Sequence, residues 1–278
     1  MTDPTIGSLR VNGATLHYEV RGQGPLLLLI PGGTGGAASF GSIADDLATE
    51  YTVATYDPRG MSRSTLDDPE AEQRVAEHAD DAFRMLELLS PDEPARVFGA
   101  SSGAIAALHL LTTHPQRLER VVAHEPPVVE VLPDAAEHRA LIVRVQATFH
   151  TQGLMPAMAV FAAGLKKDVD TTEPKAEIKL PPQAAARAEQ TMADLPYFVE
   201  RIVPSFMSYA PDLQRLEALS DRLVLACGQD SRGELPYRPA VFLAERLGTE
   251  LQHFPGGHTG LTTHPAEFGE RLWKAFRA

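Results

Sequence analysis

Arg96-Val97-Phe98-Gly99-Ala100-Ser101-Ser102-Gly103-Ala104-Ile105-Ala106-Ala107-Leu108 is the stretch that decides the fold. A short apolar strand runs into G-x-S-x-G, and an Ala/Leu-rich helix to about Thr113 leaves it. That order suits a strained strand-to-helix turn, which lifts the Ser101 hydroxyl clear of a sheet edge. Glycine on both sides lets strand and helix backbones approach closely. The new helix opens with free N–H groups, so the Ser102 amide is a candidate donor to a developing oxyanion. The plainer role for Ser101 is a helix N-cap hydroxyl, which the strand on its N-terminal side disfavours.

Working outward, Leu26 to Ile30 is a continuous apolar run with no solvent-facing side and reads as a central parallel strand. Before it, Leu9, Val11, Leu16, Tyr18 and Val20 alternate in period two about Asn12-Gly13, a hairpin signal. Further strands are expected at Tyr51–Tyr56, Val121–Ala123, Leu223–Cys227 and Glu250–Phe254. Helical patterns occupy Phe40–Leu47, Gln73–Leu89, Pro239–Leu247 and Glu267–Phe276. Strands alternating with helices predict an α/β fold with a mostly parallel, doubly wound sheet. Between Val128 and Leu219 no strand is evident. Three helical patterns stand there instead, Ala135–His150, Leu154–Lys166 and Ala184–Tyr209, the last broken by Pro196 and Pro204. Asp168–Pro182, charged and proline-containing, reads as a loop. The expected division is therefore a core of residues 1–127 and 220–278 carrying a helical cap, residues 128–219.

A second oxyanion donor should come from the loop after the first core parallel strand, Pro31-Gly32-Gly33-Thr34-Gly35-Gly36. Gly33 is the first choice and Thr34 the alternative. The glycine spacing does not fit a dinucleotide fingerprint. Among ten histidines, His258 alone sits in a glycine-rich loop directly after the last strand, at the sheet edge where catalysts collect. His124, at a strand end, is a candidate pocket residue. The acid that orients the base should also follow a strand and lie between serine and histidine in the chain. Asp230, in Gly228-Gln229-Asp230-Ser231, is the expected acid, and Glu125, in His124-Glu125-Pro126-Pro127, is the rival one strand earlier.

With these motifs and Tyr56-Asp57-Pro58-Arg59-Gly60 in view, the sequence resembles the α/β-hydrolase superfamily over essentially its whole length. Pro31 stands where many members carry histidine. The resemblance implies an α/β-hydrolase fold with an inserted cap. It also implies a serine hydrolase cleaving a small-molecule carboxylic ester or lactone through an acyl-enzyme on Ser101. Cofactor-free perhydrolases, carbon–carbon bond hydrolases and lyases share the scaffold, as would a non-catalytic ligand receptor. Cap residues Met155, Met158, Phe161, Met192, Phe198, Phe206 and Met207 are candidates for an apolar pocket or for the cap's own core, with Met158 and Phe161 the preferred pocket pair.

Composition sets the outer limits. The chain has 278 residues, 44% of them hydrophobic and 22% charged, with a formal net charge of -12. That charge opposes nucleic acid and anionic lipid surfaces, so a small-molecule substrate is the expected partner, with a homodimer left open. The lone cysteine, Cys227, falls in an apolar strand and reads as a structural thiol. No metal site and no cofactor are expected. With no signal-peptide pattern and no membrane-length apolar run, a cytoplasmic protein is the expectation.

Overall fold

In a computed structural model, residues 3–165 and 182–277 are described. The N-terminal hairpin forms as its alternation predicts: β1 (Thr5–Val11) pairs antiparallel with β2 (Ala14–Arg21), and Val11 faces Ala14 across a two-residue turn. Gly13 takes φ 74° there, which the turn requires. After β3 (Leu26–Ile30), α1 (Gly41–Leu47) and β4 (Thr52–Tyr56) comes β5 (Thr65–Leu66), too short for periodicity to reveal, and it adds to β2. The chain continues through α2 (Val75–Leu89), β6 (Ala95–Ala100), α3 (Ser102–Thr113) and β7 (Leu118–His124). Strand order is β1-β2-β4-β3-β6-β7-β8-β9, where β8 is Leu223–Gly228 and β9 is Leu251–Phe254. From β4 to β9 every pairing is parallel.

The sheet divides the core into two layers, and β3 shows how. Leu26, Leu28 and Ile30 pack on the face covered by α2 and α3, with Met85, Ile105 and Leu108. Leu27 and Leu29 pack on the other, with Phe40, Ile43 and Phe268. Successive side chains of a strand leave by opposite faces, so an all-leucine run can only be buried twice over. This places the C-terminal ends of β3, β6, β7, β8 and β9 along one edge. The residues that follow them, among them Gly33, Ser101, Glu125, Asp230 and His258, lie there.

Between β7 and β8 run α4 (Ala135–Gln152), α5 (Leu154–Leu165), α6 (Pro182–Tyr197) and α7 (Val203–Met207). Pro196 lacks an N–H, and the helix passes into a π-turn at Phe198–Ile202 before Pro204 starts α7. The last helix of this interval, α8 (Leu213–Ala218), escaped the sequence reading; its Leu216 is buried in the main core cluster, so by packing it sides with the core. The Asp168–Pro182 loop lies outside the described residues except for Pro182, which opens α6. The cap is tied to the core through the loop after β4. Asp194, 8% exposed, accepts hydrogen bonds from the backbone N–H and hydroxyl of Ser62 at 3.1 and 2.9 Å. The Tyr197 hydroxyl donates to the Arg59 carbonyl at 3.3 Å. Two further helices, α9 (Tyr237–Leu247) and α11 (Pro265–Arg277), cover the sheet, with the single turn α10 (Gly260–Thr263) between them.

Candidate active site

Ser101 occupies the turn between β6 and α3 at φ 51°, ψ -118°, a conformation costly for a residue with a Cβ. Its flanking glycines are dictated by space. A Cβ on Gly99 would meet the Gly103 carbonyl oxygen at 2.5 Å, and one on Gly103 would meet that of Ile30 at 2.4 Å. The His258 ring lies over the serine, with Nε2 3.2 Å from Ser101 Oγ. Its other nitrogen, Nδ1, is 2.6 Å from Glu125 Oε2.

The acid beside His258 is therefore Glu125, and the expectation of Asp230 is corrected. Glu125 directly follows β7 at φ 47°, a second strained non-glycine residue at the same sheet edge. It is fully buried. Its Oε1 accepts from the Gly228 N–H at 2.9 Å and from the Ser231 hydroxyl. Asp230 lies exposed on the loop after β8, and its backbone N–H donates to the Gly256 carbonyl at 3.0 Å. The loop expected to supply the carboxylate instead supplies donors that hold it. Burial works to raise the Glu125 pKa, but the His258 hydrogen bond, the nearby imidazoles and the Ser231 hydroxyl leave it below the ordinary glutamate range. A carboxylate so held fixes the proton on Nδ1 and turns the Nε2 lone pair toward Ser101.

A cavity of about 430 Å³ opens above Ser101. Gly33, Thr34, Ser102, His124 and Phe161 all line it, as do Phe198, Phe206 and Met207. Met158 does not: it packs beside the cap's internal cluster of Leu141, Val145, Ala157 and Val199, because its face of α5 turns toward α4. Met155 and Met192 are exposed. Sequence reasoning missed Phe40, Leu261 and Phe268, which also line it; Phe40 and Phe268 fall in helical patterns that mark them only as core. Of the two expected oxyanion donors, the Ser102 N–H heads α3, where first-turn amides have no helical acceptor. The Gly33 N–H reaches Ser102 Oγ at 3.0 Å. Cys227 is buried, which pushes its thiol up to about 12 and keeps it unreactive. Among the described residues no cluster could hold a metal ion, and no helix is long and apolar enough to cross a membrane.

Two buried histidines near this site stay neutral. Burial first, then the Arg59 charge, lowers His78 from 6.5 to about 3. Burial lowers His124 to about 4, against the opposing pull of Glu125. Both folded values lie below the unfolded one, so acid favours the unfolded chain, which takes up the protons. Stability should be fully present above pH 6.5 and fall progressively below it, each group adding a slope of at most about 1.4 kcal/mol per pH unit. Thermal unfolding followed from neutral pH into this range should show a declining Tm, and His78→Gln should flatten the decline. An equally steep decline in the variant would exclude His78 as its source.

The sequence and the fold have counterparts among known proteins. Residues 25–158 match the model of the alpha/beta hydrolase fold family. An uncharacterized hydrolase, YraK, of Bacillus subtilis (strain 168) is 38% identical over 273 residues, spanning 96% of this chain and 94% of its own. A zearalenone hydrolase of Bionectria ochroleuca is 34% identical over 122 residues, 42% of this chain and 45% of its own. The enol-lactonase of Burkholderia xenovorans LB400 shares the fold, with a TM-score of 0.71 at 15% identity over 98% of this chain and all of that one. The chain belongs to the α/β-hydrolase family, and it is a hydrolase.

Proposed function

We propose that this hydrolase cleaves a small-molecule carboxylic ester or lactone through an acyl-enzyme on Ser101. The observation that carries the reading is His258 bridging Ser101 Oγ at 3.2 Å and buried Glu125 at 2.6 Å. Ser101 Oγ attacks the acyl carbon while its proton passes to His258 Nε2. The imidazolium so formed lies against the Glu125 carboxylate, which stays ionised. The tetrahedral oxyanion is held by the Ser102 N–H and by the Gly33 N–H, which exchanges Ser102 Oγ for the stronger, charged acceptor. Collapse expels the alcohol, which takes the proton from His258. Water, deprotonated by the same nitrogen, then releases the acid. A lactone follows the same course, its alcohol remaining tethered to the acid. The apolar walls supplied by Phe161, Phe198 and Phe206 favour an uncharged substrate.

A fluorophosphonate, which captures an activated serine, is expected to label Ser101 and leave Ser102 free. Mass spectrometry of the labelled peptide decides it. An adduct on Ser102, or none on folded protein, would remove the nucleophile assignment.

A further inference from the structure

We infer that His124 is a substrate-binding residue, and that the preferred ester or lactone carries a neutral hydroxyl group which this imidazole receives. The inference rests on the hydrolase reading above and adds to it a chemical feature of the substrate. His124 is the last residue of β7, and its carbonyl accepts the Ser101 N–H at 2.9 Å, so its ring stands one strand from the nucleophile. The residue lines the cavity and is 2% exposed, and its Nε2 is buried with no hydrogen-bond partner. Two aromatic rings meet it edge to face, Phe268 at 5.2 Å and Phe254 at 5.8 Å, and neither offers a hydrogen-bonding heteroatom. A buried polar atom left unpaired is disfavoured, and natural proteins keep such atoms where a ligand or water completes them. Phenylalanine would fill the same aromatic niche without that cost.

The neighbouring charges decide what kind of group fits. Glu125, the next residue, is a fully buried carboxylate already held by three donors. A second anion beside it would be repelled, and a cation would have to leave water for an apolar wall. A neutral imidazole has one donor and one acceptor nitrogen. A hydroxyl both donates and accepts, so it satisfies Nε2 in either tautomer. The hydroxyl must lie within a few atoms of the ester carbonyl, because His124 and Ser101 are held together by the backbone bond between them.

The test compares matched esters that differ only in one hydroxyl. One set is the para-nitrophenyl esters of phenylacetic acid and its ortho-, meta- and para-hydroxy derivatives, which probe the acyl side. The other is phenethyl acetate and its ring-hydroxylated analogues, which probe the alcohol side. The wild-type protein is expected to prefer at least one hydroxylated ester roughly tenfold in kcat/KM over its deoxy partner, the scale of one hydrogen bond. His124→Phe should bring that ratio to about one, whatever its rate on the deoxy ester, and His124→Gln should retain part of it. The wild-type comparison needs no variant to fold. Labelled Ser101 with no hydroxyl preference overturns this inference alone, as does a preference that survives His124→Phe. Absence of both labelling and turnover removes the hydrolase mechanism, and the inference falls with it.

Discussion

Glu125→Gln should lower ester turnover by roughly 10³–10⁴-fold, whereas Asp230→Asn should stay within about tenfold of the wild type. The asymmetry follows from what each side chain touches. Glu125 Oε2 is the acceptor for His258 Nδ1 at 2.6 Å, and an amide there can present its NH₂ to that nitrogen and stabilise the wrong tautomer. Asp230 is exposed, and its structural contribution is a backbone N–H that the substitution leaves in place. Oε1 also receives the Gly228 N–H and the Ser231 hydroxyl, so the glutamine variant must be shown to fold, by circular dichroism and by its Tm. The measurement is kcat on one chromogenic ester for both variants. A nearly normal Glu125→Gln with an inactive Asp230→Asn would return the acid's role to Asp230.

Much of this site is legible in the sequence, and the part that is not has a definite physical origin. Gly99 and Gly103 are forced by backbone approaches under 3 Å, so the turn around Ser101 leaves a fixed imprint on residue type. The glycine-rich loop around His258 likewise stands out after an apolar strand. The acid leaves no such imprint. Glu125 and Asp230 both follow core strands, both lie between Ser101 and His258, and chain order treats them alike. What separates them is the left-handed kink at Glu125, φ 47°, which delivers the carboxylate to the imidazole from the strand beside β6. Glu125-Pro126-Pro127 is the trace of that kink in the sequence, because proline ends strand pairing at once. Met158 and Phe161 show the same limit on α5. They are three residues apart and equally apolar, yet only Phe161 lines the cavity, and which face of a cap helix meets the core is set by packing between elements distant in the chain.

The second large effect is on stability, at Asp81. Arg59 and Asp81 are 4% and 1% exposed and form a bidentate pair, Nε to Oδ2 at 2.7 Å and Nη2 to Oδ1 at 2.6 Å. This pair fastens α2 to the loop after β4, and Arg59 reaches from there to the Asn12 carbonyl at 3.2 Å. The same loop carries Ser62 and the Arg59 carbonyl, where Asp194 and Tyr197 of the cap attach. Asp81→Ala leaves a guanidinium buried and unpaired, which costs about 3–5 kcal/mol, whereas the intact pair contributes far less than that to net stability. Glu77, 3.9 Å from Arg59 and partly exposed, is too far to replace a bidentate partner. For a chain of this size the loss corresponds to a Tm lower by roughly 10 °C. The double variant Arg59→Met/Asp81→Leu, which removes both charges, should recover most of it. Labelling of Ser101 at low temperature should persist in both, since neither residue touches Ser101, His258 or Glu125. Thermal unfolding of the two variants beside the wild type decides the matter. A single variant that loses less than about 1 kcal/mol would mean that water or Glu77 reaches Arg59 and that the loop is held by its backbone contacts instead.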